Sequence, residues 1–256
     1  MIIAIFNSKG GVGKTTIATN LAAGLSGPRR RVLLVDLDSQ SSASVCLGVS
    51  RNQLRPSAAS VLLEKYPILK AIRHTATPQL DLLTGSLELA NADVVLCGMR
   101  GRETALARML ERVRDHYDVI VLDCPPGFSL LSINALVAAD VILVPVSPDP
   151  IAVEALESML AAIQRVRTRM MSRGRLAGVV LCSVDPQRKP SRDLSERVRS
   201  AHRDRLFHTE LRWTAAVSDA AAARKTILGA APKSAAADAI RRLAAELLER
   251  LPSLRH

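Results

Sequence analysis

Between the apolar run Ile2 to Phe6 and the helix-like stretch Ile17 to Leu25 lies Ser8-Lys9-Gly10-Gly11-Val12-Gly13-Lys14-Thr15-Thr16. These residue types in this order suit the phosphates of a nucleoside triphosphate. Glycines let the chain turn so that successive backbone N–H groups face the phosphates, a helix begins there with the positive end of its dipole, and Lys14 adds a full charge. The hydroxyl of Thr15 is then placed for magnesium. The common form of such a loop, G-x-x-x-x-G-K-[S/T], asks for glycine at position 8, whereas this chain has Ser8 with a second lysine, Lys9, beside it. That departure carries information of its own.

Two acidic segments follow at the ends of apolar runs: Val35-Asp36-Leu37-Asp38-Ser39-Gln40 and Val121-Leu122-Asp123-Cys124-Pro125-Pro126-Gly127. Asp123 stands where a P-loop ATPase keeps the acid that holds magnesium through water, since this cation accepts few direct protein ligands. Asp38 or Asp36 is available to orient an attacking water. A lone aspartate closing a strand is as often a turn former or helix cap, but here three stand in register with a phosphate loop.

The elements that must position these groups are legible from periodicity. Short continuous apolar runs at Ile2 to Phe6, Val32 to Val35, Val119 to Leu122, Val141 to Val144 and Ala177 to Cys182, with a further one at Gln79 to Leu83, read as strands buried on both faces. Helical spacing predicts helices over Thr15 to Leu25, Glu103 to Asp115, Ser129 to Ala138, Ala152 to Met171, Ser191 to His202 and Ala235 to Leu251. Alternation of the two predicts an α/β fold: a mostly parallel twisted sheet with helices on both faces, right-handed crossovers, and the carboxyl ends of the strands along one edge. Residues 45–78 and 184–192 read as surface excursions, and no repeat or low-complexity tract breaks the chain.

With 256 residues and 48% hydrophobic content, a single domain over residues 1–256 is expected. Aromatics amount to 2%, and Phe6, Phe128, Phe207 and Trp213 are scattered, which argues against a stacking platform for single-stranded nucleic acid. Cys46, Cys97, Cys124 and Cys182 show no C-x-x-C spacing, and the first strand starts at Ile2 where a signal peptide would lie, so a reducing cytoplasm is expected. No apolar stretch reaches the roughly 18 residues of a membrane span. The net charge of +11 is uneven: residues 1–150 hold 15 Lys and Arg against 13 Asp and Glu, while residues 151–256 hold 20 against 11. The C-terminal part is therefore the candidate for facing a polyanion, the alternative being charges spread over solvated faces.

Taken together, KGGVGKTT at 9–16, TNLAAGL at 19–25, RVLLVDLDSQ at 31–40, DVIVLDCPPG at 118–127 and INALVAADVILVPVSPDPIAVEAL at 133–156 resemble the ParA/MinD family of deviant Walker P-loop ATPases, and most of all ParA-type DNA-partition ATPases. The resemblance runs over nearly the whole chain. It implies an ATP-driven homodimer, with ATP and Mg2+ as cofactors. Lys9 matches the signature lysine that crosses to the partner's nucleotide, and Lys14 the phosphate lysine acting within its own subunit. The nucleotide-binding set is then Gly10, Gly11, Val12, Gly13, Lys14, Thr15 and Thr16, with Gly10 allowing close approach of subunits and Thr16 touching the α-phosphate. The resemblance makes Lys9, Lys14 and Asp38 catalytic, Asp38 as the water-activating acid, and assigns magnesium to Thr15, Asp36 and Asp123. Three departures stand out. Leu211 replaces a proline frequent near the adenine, Ser39 replaces the proline of D-x-D-P-Q, and no N-terminal winged-helix extension is expected.

The resemblance further implies nonspecific double-stranded DNA binding through phosphates, for which Arg188, Lys189, Arg192, Arg212, Arg224 and Lys225 are the candidates, and a ParB-type centromere-binding or adaptor partner that triggers hydrolysis in a nucleoid-associated cytoplasmic cycle. Arg173 and Arg175, after the long helix, form another basic patch or cap that helix. A MinD-like membrane cycle needs a terminal amphipathic helix, and Leu243, Leu247, Leu248 and Leu251 read instead as the face of a helix packed on the sheet. Stable membrane association is not expected. ParA-like positioning of a non-DNA cargo such as carboxysomes or chemoreceptor clusters uses the same ATPase. An iron–sulfur reductase would need Cys97 and Cys124 as thiolates, and both read better as small core residues. Tyr66 and Tyr117 stand alone, unlike the tyrosine-rich tail of the kinase relatives.

Overall fold

Runs of Val, Ile and Leu too short for a helix and bounded by glycine, proline or aspartate become strands that bury both faces. The computed structural model describes residues 1–212 and 214–252; Trp213 and residues 253–256 lie outside the described residues. Its strands are β1 (Ile2–Ile5), β2 (Val32–Asp36), β3 (Arg73–His74), β4 (Leu80–Leu83), β5 (Val119–Asp123), β6 (Val141–Val146), β7 (Arg175–Val184) and β8 (Leu211–Arg212). Among the described residues they form one sheet of eight strands in the order β3-β4-β2-β5-β1-β6-β7-β8. All neighbours run parallel except β3 against β4.

The two faces of the sheet follow from the alternation of side chains along each strand. Ile2, Ala4 and Phe6 point into a core shared with α3 (Ala58–Glu64), α4 (Ile68–Ala71), α5 (Ala92–Cys97), α6 (Ala105–Glu111), α7 (Leu130–Ala138), α8 (Pro150–Met170) and α9 (Lys189–His202). Ile3 and Ile5 point into the opposite core, built with α1 (Lys14–Leu25), α2 (Ser42–Cys46), α10 (Ala215–Ala222), α11 (Ile227–Ala230) and α12 (Ala235–Arg250). The expected architecture, a mostly parallel sheet with helices on both faces, is the one found. Helix α12 buries Ile240, Leu243, Ala244 and Leu247 beside α1, so the leucines of the last helix serve the core.

Three expectations need correction. Residues 45–78 are not a surface excursion: α3 and α4 bring Ala58, Ala59, Val61, Leu62, Ile68 and Ala71 into the core. Each helix is too short to show a full helical period in the sequence, and α3 is held by a capping box between Ser57 and Ser60. Likewise, 184–192 is only partly a loop, because α9 starts at Lys189 with Pro190 in its first turn, a position where a missing N–H costs nothing. Finally, the helix expected over Glu103 to Asp115 is regular only at α6, flanked by 3-10 turns at Arg102–Thr104 and Arg114–His116. At its start the Thr104 hydroxyl donates to Gly101 O, a local bond that competes with helix.

Candidate nucleotide site

The loop between β1 and α1 is shaped by two left-handed residues, Gly11 at φ 76° and Gly13 at φ 94°, conformations that a Cβ would disfavour. Gly13 is the N-cap of α1 and also lies close to β7, where an added Cβ would sit 3.4 Å from Cys182 Cβ. Gly10 and Gly11 are exposed, Val12 is fully buried and anchors the loop, and Thr15 and Thr16 are partly exposed on the first turn of α1. Lys14 is buried, and its ammonium donates to Lys9 O at 2.7 Å, folding back over the loop. Burial lowers its pKa, with the nearby Asp123 carboxylate acting in the opposite direction.

Strand register places the acids. Asp36 and Asp123 end β2 and β5 and are paired neighbours in the ladder, with Ile5 of β1 on the other side of Asp123. Both carboxyls are completely buried beside the loop edge. Asp36 is well served: its Oδ2 accepts from Ser44 N at 2.9 Å and Ser44 Oγ at 2.6 Å, and its Oδ1 accepts from Asp38 N at 3.2 Å. Burial nevertheless pushes its pKa up to about 6. Neither oxygen of Asp123 has a partner within hydrogen-bond distance among the described residues, and burial together with the Asp36 charge raises its pKa well above the carboxylate range, although the neighbouring Thr15 hydroxyl favours its charge. An orphaned buried carboxyl is costly unless a cation or water completes it, which marks Asp123 as the unfinished member of the site. Asp38 is partly exposed one step beyond the strand, where its Oδ1 accepts from Gln40 N at 2.9 Å.

Lys9 points elsewhere. Its ammonium is ion-paired with Asp149 Oδ1, while its backbone N–H donates to Asn7 Oδ1 at 2.8 Å and the Asn7 amide in turn donates to Pro145 O at 2.7 Å. Asp149 is the N-cap of α8: Oδ1 also accepts from Ala152 N at 2.9 Å, and Oδ2 accepts from the Ser147 hydroxyl at 2.5 Å. Partial burial opposes its charge, but Lys9, Ser147 and the helix N–H hold its pKa below the ordinary carboxylate value. One loop thus carries two lysines in different employment, Lys14 turned inward and Lys9 tied to the helix across the crevice.

The structure brings Lys9, Lys14, Thr15, Asp36, Asp38 and Asp123 to the carboxyl edge of the sheet, as the strand–loop pattern predicts. The basic candidates are divided. Arg188, Lys189 and Arg192 are exposed at the start of α9, near Arg212, which pairs with Val184 at the end of β7. Arg224 and Lys225 are exposed after α10 and line a separate cavity of about 260 Å3 with Leu47 and Thr77. Arg212 is also engaged by Glu210 at 3.3 Å, the same carboxylate that takes Arg199 at 2.6 Å. Leu211 is buried in β8 beside Cys182. Of the two cysteines read as core residues, Cys124 is buried and Cys97 is exposed at the end of α5, a correction that follows from α5 turning only Ala92 and Leu96 inward.

Sequence reasoning missed Asp149, Ser44 and Gly85. Asp149 had a signal, since aspartate directly before proline is a helix-start pattern; Ser44 and Gly85 had none, because only the fold brings them to Asp36. Gly85 N donates to Ser44 Oγ at 3.0 Å, and a Cβ at Gly85 would lie 2.7 Å from Asp38 O and 2.8 Å from Asp36 Cγ. Gly85→Ala is therefore expected to displace the Asp36–Asp38 segment and to destabilise the protein by about 1–3 kcal/mol, read as a lower urea midpoint with unchanged slope. A midpoint equal to that of the parent would mean that the segment yields without cost.

Residues 1–176 match the family described as AAA domain. The chain is 35% identical over 246 residues to the sporulation initiation inhibitor protein Soj of Bacillus subtilis, covering 96% of this chain and 97% of that one. It is 34% identical over 251 residues to the chromosome partitioning protein ParA of Caulobacter vibrioides, covering 97% and 94%. Among solved structures, cobyrinic acid a,c-diamide synthase from Mycobacterium smegmatis with bound ATP analog and magnesium superposes with a TM-score of 0.85 at 30% identity, covering 98% and 96%.

Proposed function

Because the chain belongs to the ParA/Soj family of P-loop ATPases, we propose that it is a single-domain ATPase switch in which ATP closes two copies into a dimer that binds DNA nonspecifically. A ParB-type partner then stimulates hydrolysis and release, and the cargo is a plasmid or chromosome. The observation that carries this reading is the division of labour between Lys14 and Lys9 on one loop. Lys14 is already inside its own subunit's pocket, so a second lysine on the exposed side of the loop is of use to a phosphate approached from outside, that is, from a second copy.

The residues present fit a magnesium-bound triphosphate. Asp123 offers two buried, unpartnered oxygens at the strand end, and the Thr15 hydroxyl stands on the first turn of α1 close to it. Among the described residues no group of three His, Cys, Asp or Glu side chains forms a metal cage, as suits a cation held by one hydroxyl, phosphates and water. When bound, magnesium neutralises the β- and γ-phosphates and the charge that develops between them. Asp123 would hold its water shell and Asp36, kept in place by Ser44, would support that shell. The N–H groups of Gly11 to Thr16 would cradle the phosphates, Lys14 would leave Lys9 O for them, and Asp38 would accept the proton of the attacking water. Lys9 would exchange Asp149 for the partner's γ-phosphate, a stronger counterion because it carries more charge. No helix among the described residues is long and apolar enough to cross a membrane.

The test is DNA binding by fluorescence anisotropy with ATP and with ADP. Tighter binding with ATP is expected; equal affinity with both nucleotides, or none with either, overturns the switch. A second measurement addresses Lys9. Asp149→Asn keeps a side chain able to cap α8 but removes the charge that holds the lysine at home. For an ion pair about one-third exposed this is expected to lower the ATP concentration needed for dimerisation roughly twofold to fivefold, measured by light scattering after size exclusion. A requirement for more ATP would show that Asp149 assists closure instead of restraining it.

A further inference from the structure

A triphosphate bound as proposed above has a direction on this sheet. Its metal-bearing end is taken by Asp36 and Asp123 on β2 and β5, to one side of β1, which leaves the nucleoside the carboxyl ends of β7 and β8 on the other side. There Gly13 of the phosphate loop lies against Cys182 of β7, and Cys182 pairs with Leu211 of β8. From β8 the chain arches through α10, which buries only Ala220, to Ile227, whose N–H donates to Oδ1 of the buried Asn20 of α1 at 2.6 Å. An arc with so little of its own surface buried depends on the anchors at its two ends.

The first anchor comes from α12. Glu246 Oε1 accepts from His208 N at 2.7 Å, and its Oε2 accepts from Thr209 N at 2.9 Å. Arg250, one turn on, donates through Nη2 to Glu246 Oε1 at 2.8 Å and to Leu206 O at 2.6 Å, and through Nη1 to Ala177 O at 3.2 Å. Its guanidinium lies 3.9 Å from the centre of the buried Phe207 ring. Gly178 makes room for this cluster: at φ 146° an added Cβ would lie 2.8 Å from Arg250 Nη1 and 3.0 Å from Phe207 Cε2. Partial burial opposes the charge of Glu246, yet the two N–H groups and Arg250 hold its pKa below the ordinary carboxylate value. The same helix packs along α1, where a Cβ on Gly24 would lie 3.2 Å from Ile240 Cγ2. Thus α12 fixes both the helix that begins at the phosphate loop and the segment that enters β8.

We propose that Glu246, held by Arg250, is a positioning residue for nucleotide binding: it sets the start of the 210–226 arc against β7, so that the arc forms the wall on which the nucleoside rests. Glu246 itself touches no ligand. A carboxylate that takes the N–H groups of two consecutive residues fixes the rotation of the segment as well as its place, which a single bond would not. Without it the arc samples other placements, and apparent affinity falls by the fraction of time spent in the competent one. The phosphates keep their own seat, because Lys14 and the N–H groups of Gly11 to Thr16 belong to α1 and its loop. The loss is therefore confined to ligands that carry a nucleoside. This inference rests on the placement of the phosphates proposed above, and on neither dimerisation nor DNA.

The experiment measures binding of MgADP and of magnesium pyrophosphate to the full chain by isothermal titration calorimetry. Glu246→Ala is expected to weaken ADP about tenfold, as when the competent placement falls to roughly one in ten, and to leave pyrophosphate within about twofold of the parent. Amide hydrogen exchange without nucleotide is expected to quicken over residues 207–212 and to stay unchanged over α7. Glu246→Gln keeps the volume and one accepting oxygen, and gives a smaller rise in the same direction. Should Glu246→Ala fail to fold by circular dichroism, Glu246→Gln must still weaken ADP more than pyrophosphate. Equal weakening of both ligands, which a general loss of stability would produce, an unchanged ADP affinity, or unchanged exchange over 207–212 each overturns the proposal. Neither probe carries a γ-phosphate, so a parent protein that stays monomeric in ATP would remove the switch and leave the ratio of the two affinities standing.

Discussion

Lys9→Ala is expected to bind ATP within a few-fold of the parent protein, to remain monomeric in saturating ATP and magnesium, and to lose at least about 10³ in partner-stimulated turnover, as expected when a cation supplied in trans to a transferring phosphoryl group is removed. In the proposed mechanism the lysine is not needed for ground-state binding, because Lys14, which now donates to Lys9 O, and the loop N–H groups would serve the phosphates of their own subunit. On this proposal its charge would matter once the γ-phosphate is shared between copies, since without it closure would bring two clusters of negative charge together uncompensated. Single-turnover hydrolysis, nucleotide affinity and molar mass separate the three effects. A variant that dimerises and hydrolyses ATP as the parent does would remove the role in trans. Arg in place of Lys9 is a weaker test, since the side chain must also leave Asp149, and a guanidinium would hold that carboxylate through two bonds.

Asp38→Ala is expected to behave in the opposite way with respect to assembly. Turnover should fall by about 10²–10⁴, the usual contribution of a positioned general base, while ATP still drives dimerisation and the dimer stays on DNA, so that dissociation from DNA after dilution slows with ATP but not with ADP. The assignment rests on position: Asp38 lies two residues beyond Asp36, partly exposed, and among the described residues its carboxylate accepts from Gln40 N through Oδ1, which leaves its second oxygen to a water. Asp36 lacks that freedom, because Ser44 and Asp38 N occupy both its oxygens. Normal hydrolysis by Asp38→Ala, with loss on Asp36→Ala, would reverse the two roles. The pair of substitutions at 9 and 38 would also separate assembly from chemistry, since one is expected to abolish the dimer and the other to trap it.

The legible part of this protein lies where local rules and tertiary structure agree. A glycine-rich turn leading from a buried strand into Lys14-Thr15 admits few backbone solutions, and all of them present N–H groups at a helix start. Continuous Val, Ile and Leu runs at β1, β2, β5 and β6 can be satisfied only between two layers of helix, which places Asp36 and Asp123 at the same sheet edge. Short pieces fared worse. Helices α3, α4, α5, α10 and α11 have eight residues or fewer, less than the sequence needs to display a period, and they hold because their neighbours bury them.

By itself, the order of residues determined the glycine-rich turn from β1 into α1 and the doubly covered parallel sheet, because each depends on interactions between residues close in the chain or on a hydrophobic pattern that one architecture satisfies. Tertiary structure alone decided that Lys9 rests on Asp149, 140 residues away, that Gly85 and Ser44 brace Asp36, and that the basic residues divide between separate places. Each of these is a pairing across strands or layers, and a charge or a small residue carries no mark in the sequence of which distant group the packed sheet will set beside it.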